Sequence, residues 1–317
     1  MKAYSREISV ALALGGLLLA LKIYAPSFYQ AQPLLSLAAS EAPVLVVACG
    51  MALVILCRQI DISIGAQFSL CSVCAGLLAA RGWPLPLVLS ASVMLGAGLG
   101  AFNGSLVAGL GLPSIVVTLA TMVTWREGLR WLRQGIWVDL PEGFQWFGLR
   151  QNAGQWALII LAFSILVLLS LALRHFAGCR FIYAAGSEAE AARLAGIRPR
   201  RITFAVFVFA GALAGLAAMM NVCQSPQVDP NSGVGLELKT IAAVVVGGVA
   251  ITGGRGNLWG VFAGLLLLGC LGPALTHLHV EAYWDKAIQG IVILVAVVAA
   301  SGQRRNPSLA RAGKVQL

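Results

Sequence analysis

The sequence predicts an all-α fold, a polytopic membrane bundle of about ten transmembrane helices with both termini in the cytoplasm. Three observations support this. The 317 residues are 59% hydrophobic and only 11% charged, and their mean hydropathy of +0.87 leaves too little polar surface to cover a soluble core. Apolar stretches near the ~20 residues that cross a bilayer recur along the whole chain. The basic residues are distributed unevenly between the connecting loops.

We treat residues 1–317 as a single transmembrane domain. The N-terminal apolar run follows two basic residues but lacks a convincing cleavage site, so it is predicted to be a retained first helix rather than a signal peptide. Several predicted spans are short, and their boundaries are approximate. The ten spans are Ile8–Tyr24, Pro43–Cys57, Ile64–Ala80, Pro86–Leu110, Ser114–Trp125, Trp156–Leu173, Ile202–Cys223, Thr240–Thr252, Leu258–Thr276 and Ala287–Ser301.

The orientation follows from lysine and arginine, which are retained on the cytoplasmic side. With the N-terminus inside, fourteen of the 22 basic residues but only four of the 12 acidic residues fall in the cytoplasm. The formal net charge of +10 therefore belongs to the cytoplasmic face. Membrane topology explains the basic character, so nucleic acid is not expected as a partner.

Signatures of enzyme chemistry are missing from the sequence, and no catalytic residue is assigned. The glycine-rich "GGRG" at Gly253–Gly256 lacks the Lys-Ser/Thr that a phosphate-binding loop requires, so this chain is not expected to hydrolyse ATP. Cys71 and Cys74 form a CxxC on an apolar helix without a nearby histidine or acid. Buried thiols are the favoured interpretation, and metal or redox chemistry is the alternative. No metal site is predicted.

Glycines recur every four residues within the predicted spans. One set is Gly96, Gly100 and Gly104, and a second pair is Gly211 and Gly215. Such faces let helix backbones approach closely in lipid, where no hydrophobic drive separates a helix from the acyl chains. They predict a tightly packed bundle, with a lipid-binding or gating role as the alternative.

Polar side chains also interrupt the apolar spans. The stretch "RQIDISIGAQFSL", residues 58–70, is interpreted either as a turn in which Asp61 or Ser63 caps the next helix, or as an irregular segment lining a cavity. Asn103, Thr118 and Thr121 either line an aqueous path or form hydrogen bonds to neighbouring helices. Residues 126–155 are predicted to be extracytoplasmic. Four tryptophans between residues 124 and 148 are interpreted as interface anchors or as a partner-binding surface.

A short polar island, "AAGSEAEAARLAGIRPRR", occupies residues 184–201 within a cytoplasmic segment, residues 174–201. Ser187 and Glu190 have the spacing of a capping box, Gly196 provides a left-handed stop and Pro199 prevents continuation, which predicts a helix over 188–195. Its apolar face consists mostly of alanine, which anchors weakly in lipid. Docking into a protein groove is favoured over lying on the membrane.

Four ordered motifs resemble one family. The stretches "QIDISIG", "FNGSLVAGLGLPSIVVTLATM", "GSEAEAARLAGI" and "GVGLELKTIAAVVVGGVAITGGRGNLWG" are similar to the permease subunits of bacterial ABC importers for monosaccharides such as ribose, xylose and galactose. The resemblance covers nearly the whole chain. "CRQIDISIG", "GIWVDLP" and "EAYWDKAIQG" are most similar to permeases for rhamnose or for the furanose signal autoinducer-2.

The resemblance implies a multi-pass protein of the bacterial inner membrane that imports a monosaccharide or similar polyol by alternating access. A second permease subunit would complete the pathway, a cytoplasmic ABC ATPase would use ATP and Mg²⁺, and a periplasmic sugar-binding protein would deliver the substrate. The surrounding lipid is a further partner, and this chain itself would bind no cofactor. The coupling contacts to the ATPase would be Gly186, Glu188, Ala191, Ala192, Leu194, Gly196 and Ile197.

Two further sets of residues follow from this assignment. The predicted substrate pathway contains Asp61, Ser63, Asn103, Thr118 and Thr121. The predicted docking face for the binding protein contains Arg126, Glu127, Arg130, Arg133, Glu237 and Lys239. The chain departs from the family at Arg58 and Gln59, where members usually have Gly-Gly, so this arginine is expected to contact a partner or a lipid phosphate.

Two other classes stay open at this point. An ion-coupled secondary transporter of a small polar solute needs an intramembrane acid or base, and Asp61 at the end of a span is the one candidate in the sequence. A scaffold subunit would account for the glycine-faced helices but not for a detached cytoplasmic helix. A requirement for an ATPase separates the importer from both.

Overall fold

The computed structural model describes residues 5–277 and a few isolated positions up to residue 294, so most of the predicted span 287–301 lies outside the described part. Within residues 5–277 the chain is almost entirely helical, with one two-stranded antiparallel ladder. The helices are α1 (Ser5–Tyr24), α2 (Ala31–Leu56), α3 (Ile64–Ala80), α4 (Leu85–Gly104), α5 (Ser114–Arg133), α6 (Gln151–His175), α7 (Ala177–Ser187), α8 (Ala189–Leu194), α9 (Pro199–Val222), α10 (Leu236–Val246) and α11 (Leu258–His277), and the strands are β1 (Val138–Asp139) and β2 (Gln227–Val228).

Several helices have the length and composition of membrane spans. Five are long and apolar enough to cross a bilayer, and two shorter apolar helices accompany them. The five are Ala31–Leu56, Leu85–Gly109, Gln151–His175, Pro199–Val222 and Leu258–Thr276, and the shorter two are Leu12–Tyr24 and Ile64–Ala80. The stretch Leu85–Gly109 is α4 continued by a π-helical turn over Ser105–Gly109. The predicted all-α polytopic membrane fold is therefore confirmed.

Three predicted boundaries are wrong, because hydropathy locates the apolar residues and not the residues at which the backbone hydrogen bonds of a helix begin and end. α2 begins at Ala31, twelve residues before the predicted start at Pro43, and Pro43 lies inside the helix. α5 continues from Trp125 to Arg133, supported by an ion pair one turn apart between Glu127 and Arg130. α10 is an 11-residue helix that ends at Val246 rather than Thr252.

α2 is the central helix of the bundle. Its residues from Leu45 to Leu56 are all buried, and it packs against α6, α9, α10 and α11. A helix that is apolar on every side must be surrounded by other helices, and α2 meets that condition. The hydrophobic core therefore runs along α2 rather than between two layers.

α4 and α9 form the closest helix pair, and glycines make their contact possible. A methyl group at Gly96 would overlap the Gly211 carbonyl, and one at Gly100 would overlap the Phe207 carbonyl. Ser92 Oγ donates to the Gly215 carbonyl at 2.7 Å. The packing role predicted for the glycine spacing is confirmed here, and we call this contact the α4–α9 seam.

The bundle has two distinct ends. At one end, the last residues of α2 and α7 meet the loop 247–257, with the Gly254 amide donating to the Leu56 carbonyl at 2.9 Å. We call it the α8 end, because α8 follows α7 directly. At the other end, β1 pairs with β2 and both pack on α3, where Val138 and Val228 lie against Gly76.

Candidate functional site

α8 is a separate six-residue helix between α7 and α9. Glu188 occupies its N-cap position in an extended conformation without a side-chain capping bond. The predicted capping box is wrong: Ser187 is the last residue of α7, and the Glu190 carboxylate instead accepts from Arg193 Nη2 at 2.6 Å. Gly196 has a φ of +81°, so the predicted left-handed stop after the helix is confirmed. Pro199 begins α9.

The predicted coupling residues divide into an outward group and an inward group. Leu194 is 80% exposed, and Glu188, Ala191 and Gly196 are also exposed. Ile197 is half-buried, whereas Gly186 and Ala192 are buried against the rest of the chain. The exposed apolar face of α8, extended by the exposed Ala195, therefore has no partner within the described residues.

The end of α7, directly before α8, packs closely on the rest of the bundle at Gly186, and we call this contact the junction. A methyl group at Gly186 would overlap the Leu56 carbonyl and would lie 2.9 Å from the Gly254 amide. Tyr183 Oη donates to the Gly256 carbonyl at 3.2 Å, and burial raises the pKa of this hydroxyl. The end of α7 is therefore packed directly against the end of α2 and the loop 247–257.

Four polar side chains meet between α2, α3 and α4, and we call them the polar cluster. The Asp61 carboxylate is fully buried and accepts from the Ser63 amide, from Ser63 Oγ and from Gln67 Nε2 at 2.5 to 2.9 Å. Ser63 Oγ in turn accepts from Asn103 Nδ2 at 2.8 Å. These donors satisfy a buried carboxylate from several sides.

The cluster bears on the two interpretations of residues 58–70. Ser63 stands at the N-cap position of α3 and its side chain makes no capping bond, so capping by Ser63 is wrong. The Asp61 carboxylate accepts from the Ser63 amide directly before the helix, which fits capping by Asp61, and residues 59–61 are irregular. Asp61, Ser63 and Asn103 are fully buried and bonded to one another in this conformation. Their contact with a substrate stays a prediction.

α5 fixes the same segment from the other side. The Ile62 amide donates to Thr118 Oγ1 at 3.1 Å, and the Ile60 amide donates to Ser114 Oγ at 3.2 Å. Thr121 Oγ1 donates to the Thr118 carbonyl of its own helix at 3.2 Å. The geometry supports the hydrogen-bonding role for Thr118, because a buried amide in the α2–α3 connection needs an acceptor.

The residues predicted to dock a binding protein lie in two different settings. Arg126 pairs with Glu237 at 3.0 Å, and Lys239 pairs with Glu41 at 2.6 Å. Both pairs are largely buried and hold the first turn of α10 between α5 and α2. A side chain engaged in this way does not form an open docking face.

The other docking candidates lie near the end of α5. Glu127 and Arg130 form an exposed pair at 3.0 Å. Arg133 Nη2 donates to the carbonyl groups of Ile136 and Trp137 at 3.0 and 3.2 Å. Their surface remains available to a partner, and the exposed Trp131 nearby suits either proposed role of the tryptophans.

Sequence reasoning missed two members of these sites. Gln67 lies four residues after Ser63 on α3, so helical spacing could have placed it beside the polar cluster. Glu41 was not recognised as a member of the site because the predicted span began at Pro43, whereas α2 begins at Ala31 and includes Glu41. No group of three or more histidine, cysteine, aspartate or glutamate residues that could hold a metal occurs in the described part of the chain.

Comparison with known proteins places this architecture in a family. Residues 34–297 match the profile of the branched-chain amino acid transport system / permease component family. The chain belongs to this family. It is 33% identical over 295 residues to the autoinducer 2 import system permease protein LsrC of Enterobacter sp. (strain 638), covering 93% of this chain and 86% of that protein.

Other relatives carry the same description. The protein of that name from Salmonella typhi is 32% identical over 93% of this chain and 85% of its own length. The one from Escherichia coli (strain K12 / DH10B) is 33% identical over 93% of this chain and 86% of its own length. No solved structure matches this chain.

Family membership accounts for the apolar spans. The chain is the membrane permease subunit of an ABC importer of the sugar-transporting type, a transport subunit rather than an enzyme. It is a multi-pass protein of the bacterial inner membrane. Its family implies two partners, an ATPase and a substrate-binding protein.

Proposed function

We propose that this permease imports autoinducer-2 or a closely related small sugar, driven by ATP that a separate ATPase hydrolyses with Mg²⁺. The identity to several LsrC proteins over most of the chain supports this substrate class. The chain itself binds neither nucleotide nor metal in this proposal. A second permease subunit completes the pathway, and membrane lipid surrounds the pair.

The observation that carries the proposal is the unpartnered face of α8. Ala191, Leu194 and Ala195 are exposed on a short helix that is joined to α2 and to loop 247–257 through Gly186. A six-residue helix with one leucine buries too little apolar area to hold itself on a membrane. A groove on the ATPase is the partner that suits this face.

The proposed orientation places the α8 end in the cytoplasm. Arginines are numerous at this end, and basic residues are retained on the cytoplasmic side. ATP-driven closure of the ATPase would move α8, and the junction at Gly186 would pass that movement to α2 and α10. Alternating access follows if these helices open the pathway to the other side.

The test is uptake by the complete system in proteoliposomes. The permease, its ATPase and its binding protein are reconstituted, and entry of autoinducer-2, rhamnose and ribose is measured with and without ATP. We expect ATP-dependent entry of autoinducer-2 above the other two. Leu194→Ser should lower both ATPase binding and uptake, whereas Arg198→Ser at an exposed neighbouring position should change neither strongly.

Two results would contradict the proposal. Uptake driven by an ion gradient without the ATPase would identify a secondary transporter, with the buried Asp61 as its coupling residue. Unchanged ATPase binding in Leu194→Ser would show that the exposed face of α8 is not the contact. A preference for rhamnose or ribose would change the substrate and leave the ATP-driven mechanism intact.

A further inference from the structure

Arg58 has an unusual backbone conformation at the α8 end. Its φ of +62° lies in the left-handed region, which residues with a Cβ rarely adopt and which favours glycine. An arginine at this position costs free energy that a glycine would save, so the side chain needs a compensating role.

Packing holds Arg58 in this conformation. A methyl group at Gly253 would lie 2.8 Å from Arg58 Cβ and 2.9 Å from its amide nitrogen. The Arg58 amide donates to the Ile55 carbonyl at 2.8 Å, directly after α2. The base of the side chain is therefore fixed, which determines the direction in which the guanidinium leaves the backbone.

A cavity of about 190 Å³ lies beside this residue, and we call it the basic cavity. Arg58 and Gln59 line it from one side, and Arg200 and Thr203 line it from the N-terminal part of α9. No acidic residue lines it. Neither arginine forms an ion pair within the described part of the chain.

Two positive side chains in one cavity, next to the positive N-terminal end of α9, favour an anionic occupant. The volume is below the ~300 Å³ at which small-molecule pockets begin, but it accommodates a carboxylate side chain. Arginine binds carboxylates through paired hydrogen bonds, and Gln59 and Thr203 provide further donors at the wall.

The position of the basic cavity identifies the source of that carboxylate. Ala189, the first residue of α8, lines it, as does Ala185 of α7. The cavity is thus continuous with the exposed face of α8, which is the proposed contact surface for the ATPase. A macromolecule that binds α8 has its own side chains within reach of Arg58 and Arg200.

We propose that the basic cavity receives an acidic side chain of the partner ATPase, with Arg58 and Arg200 as its binding residues. This inference rests on the proposed function, since it requires an ATPase at α8. The contact supplies charge recognition beside the apolar contact of α8. It also explains why an arginine occupies a backbone position that suits glycine.

The experiment measures the affinity of the ATPase for the permease in lipid nanodiscs. Arg58→Gln and Arg200→Gln should each weaken binding by about tenfold or more, because each removes a charge-assisted hydrogen bond to a carboxylate. Both variants should also show a smaller loss of affinity with added salt than the wild type. Arg180→Gln is the matched control, since Arg180 is an exposed arginine of α7 that does not line the cavity.

Arg58→Gly separates binding from folding. Glycine suits the left-handed backbone, so the melting temperature of the isolated permease should stay the same or rise. The affinity for the ATPase should still fall by about tenfold, because the guanidinium is gone. A variant that is at least as stable but binds weakly cannot be explained by misfolding.

Three results would overturn the inference. Binding by Arg58→Gln and Arg200→Gln that equals binding by the Arg180→Gln control shows that the cavity does not contact the ATPase. Loss of co-purified phosphatidylglycerol at unchanged ATPase affinity assigns the cavity to a lipid headgroup instead. If the wild type itself binds no ATPase while its uptake follows an ion gradient, the proposed function fails and this inference fails with it.

Discussion

The α4–α9 seam and the α7–α8 segment both depend on small residues, but they use them in opposite ways. In the seam, Gly96 and Gly211 bring two backbones into direct contact, and both residues are buried within the chain. In α8, Ala191 is exposed on a helix whose apolar face the described chain does not cover. In the seam, small residues therefore lie in a contact formed within the described chain. In α8, they lie on a surface that no described residue covers.

We propose that this difference separates the closely packed part of the permease from the part that contacts the ATPase. Helices in lipid associate through close packing, so a glycine seam fixes α4 against α9. In that proposal the short helix α8, whose apolar face is uncovered, would gain its remaining contacts from the ATPase. The stability of the permease should thus depend strongly on the seam and weakly on α8.

The largest effect is expected when the seam is filled. Gly211→Val places a branched side chain against the Gly96 carbonyl and the backbone of Gly100, neither of which can rotate away. We expect a loss of about 3 kcal/mol in the free energy of unfolding, measured by thermal unfolding in detergent. Gly98→Val is the control, because a Cβ at Gly98 meets nothing within 4 Å and should change stability little. Equal losses of stability in Gly211→Val and Gly98→Val would show that the close contact in the seam does not stabilise the permease.

A second large effect is expected in the polar cluster, which is as fully buried as the seam. Asp61→Ala leaves the Ser63 amide and Ser63 Oγ without their acceptor and leaves Gln67 Nε2 with Ser63 Oγ alone. We expect a loss of about 3 kcal/mol, because each unsatisfied buried donor keeps its desolvation cost. Asp61→Asn should lose less, since its amide oxygen still accepts a hydrogen bond.

The matched control for Asp61 is an exposed carboxylate with the same kind of partner. Asp139 accepts from Gln227 Nε2 at 2.6 Å on the surface of the β1–β2 ladder. Asp139→Ala should cost less than about 1 kcal/mol, because water replaces the lost bond. A small effect of Asp61→Ala in the same thermal assay would indicate that the cluster admits water in solution.

An intermediate loss of stability is expected at α10, whose ion pair is less buried than the seam and more buried than α8. The Arg126–Glu237 pair has side-chain exposures of 21% and 7%. Arg126→Met or Glu237→Gln alone should cost about 2 kcal/mol, because each leaves a largely buried partner group unpaired. The double variant should cost less than the sum of the two.

The Glu127–Arg130 pair tests whether burial sets this value. Its two side chains are 54% and 61% exposed, and they lie on the same helix as Arg126. A double-mutant cycle there should give less than about 0.5 kcal/mol. Equal coupling energies for the two pairs, measured by thermal unfolding, would show that burial does not determine the strength of these ion pairs.

The sequence contained enough information for the fold but not for the arrangement inside it. Apolar stretches and Gly-xxx-Gly spacing predicted the membrane helices and the seam, because both are local patterns. The start of α8 was predicted to within one residue, yet its cap was assigned to Ser187 rather than Glu188. That error arose because α7 continues through Ser187, which no local signal excludes.

Contacts between distant parts of the chain were the least predictable. Glu237 and Lys239 have the charge and position of surface docking residues, and only the fold shows that α5 and α2 supply Arg126 and Glu41 as their partners. Gly186 was predicted to contact the ATPase because it lies in the family motif, but it packs on the Leu56 carbonyl. Pairing across more than one hundred residues is a property of the folded bundle.

The smallest effect is expected in α8 itself. The Glu190–Arg193 pair is 64% and 67% exposed, so Glu190→Ala should destabilise the helix by less than about 0.5 kcal/mol. Gly196→Ala should cost more, about 1 kcal/mol, because the residue after α8 has a φ of +81°. Amide hydrogen exchange over residues 189–194 measures both, since neither change should alter the thermal midpoint of the bundle. If Glu190→Ala instead lowered that midpoint as much as Gly211→Val, α8 would be part of the rigid core, and its exposed face would not be reserved for a partner.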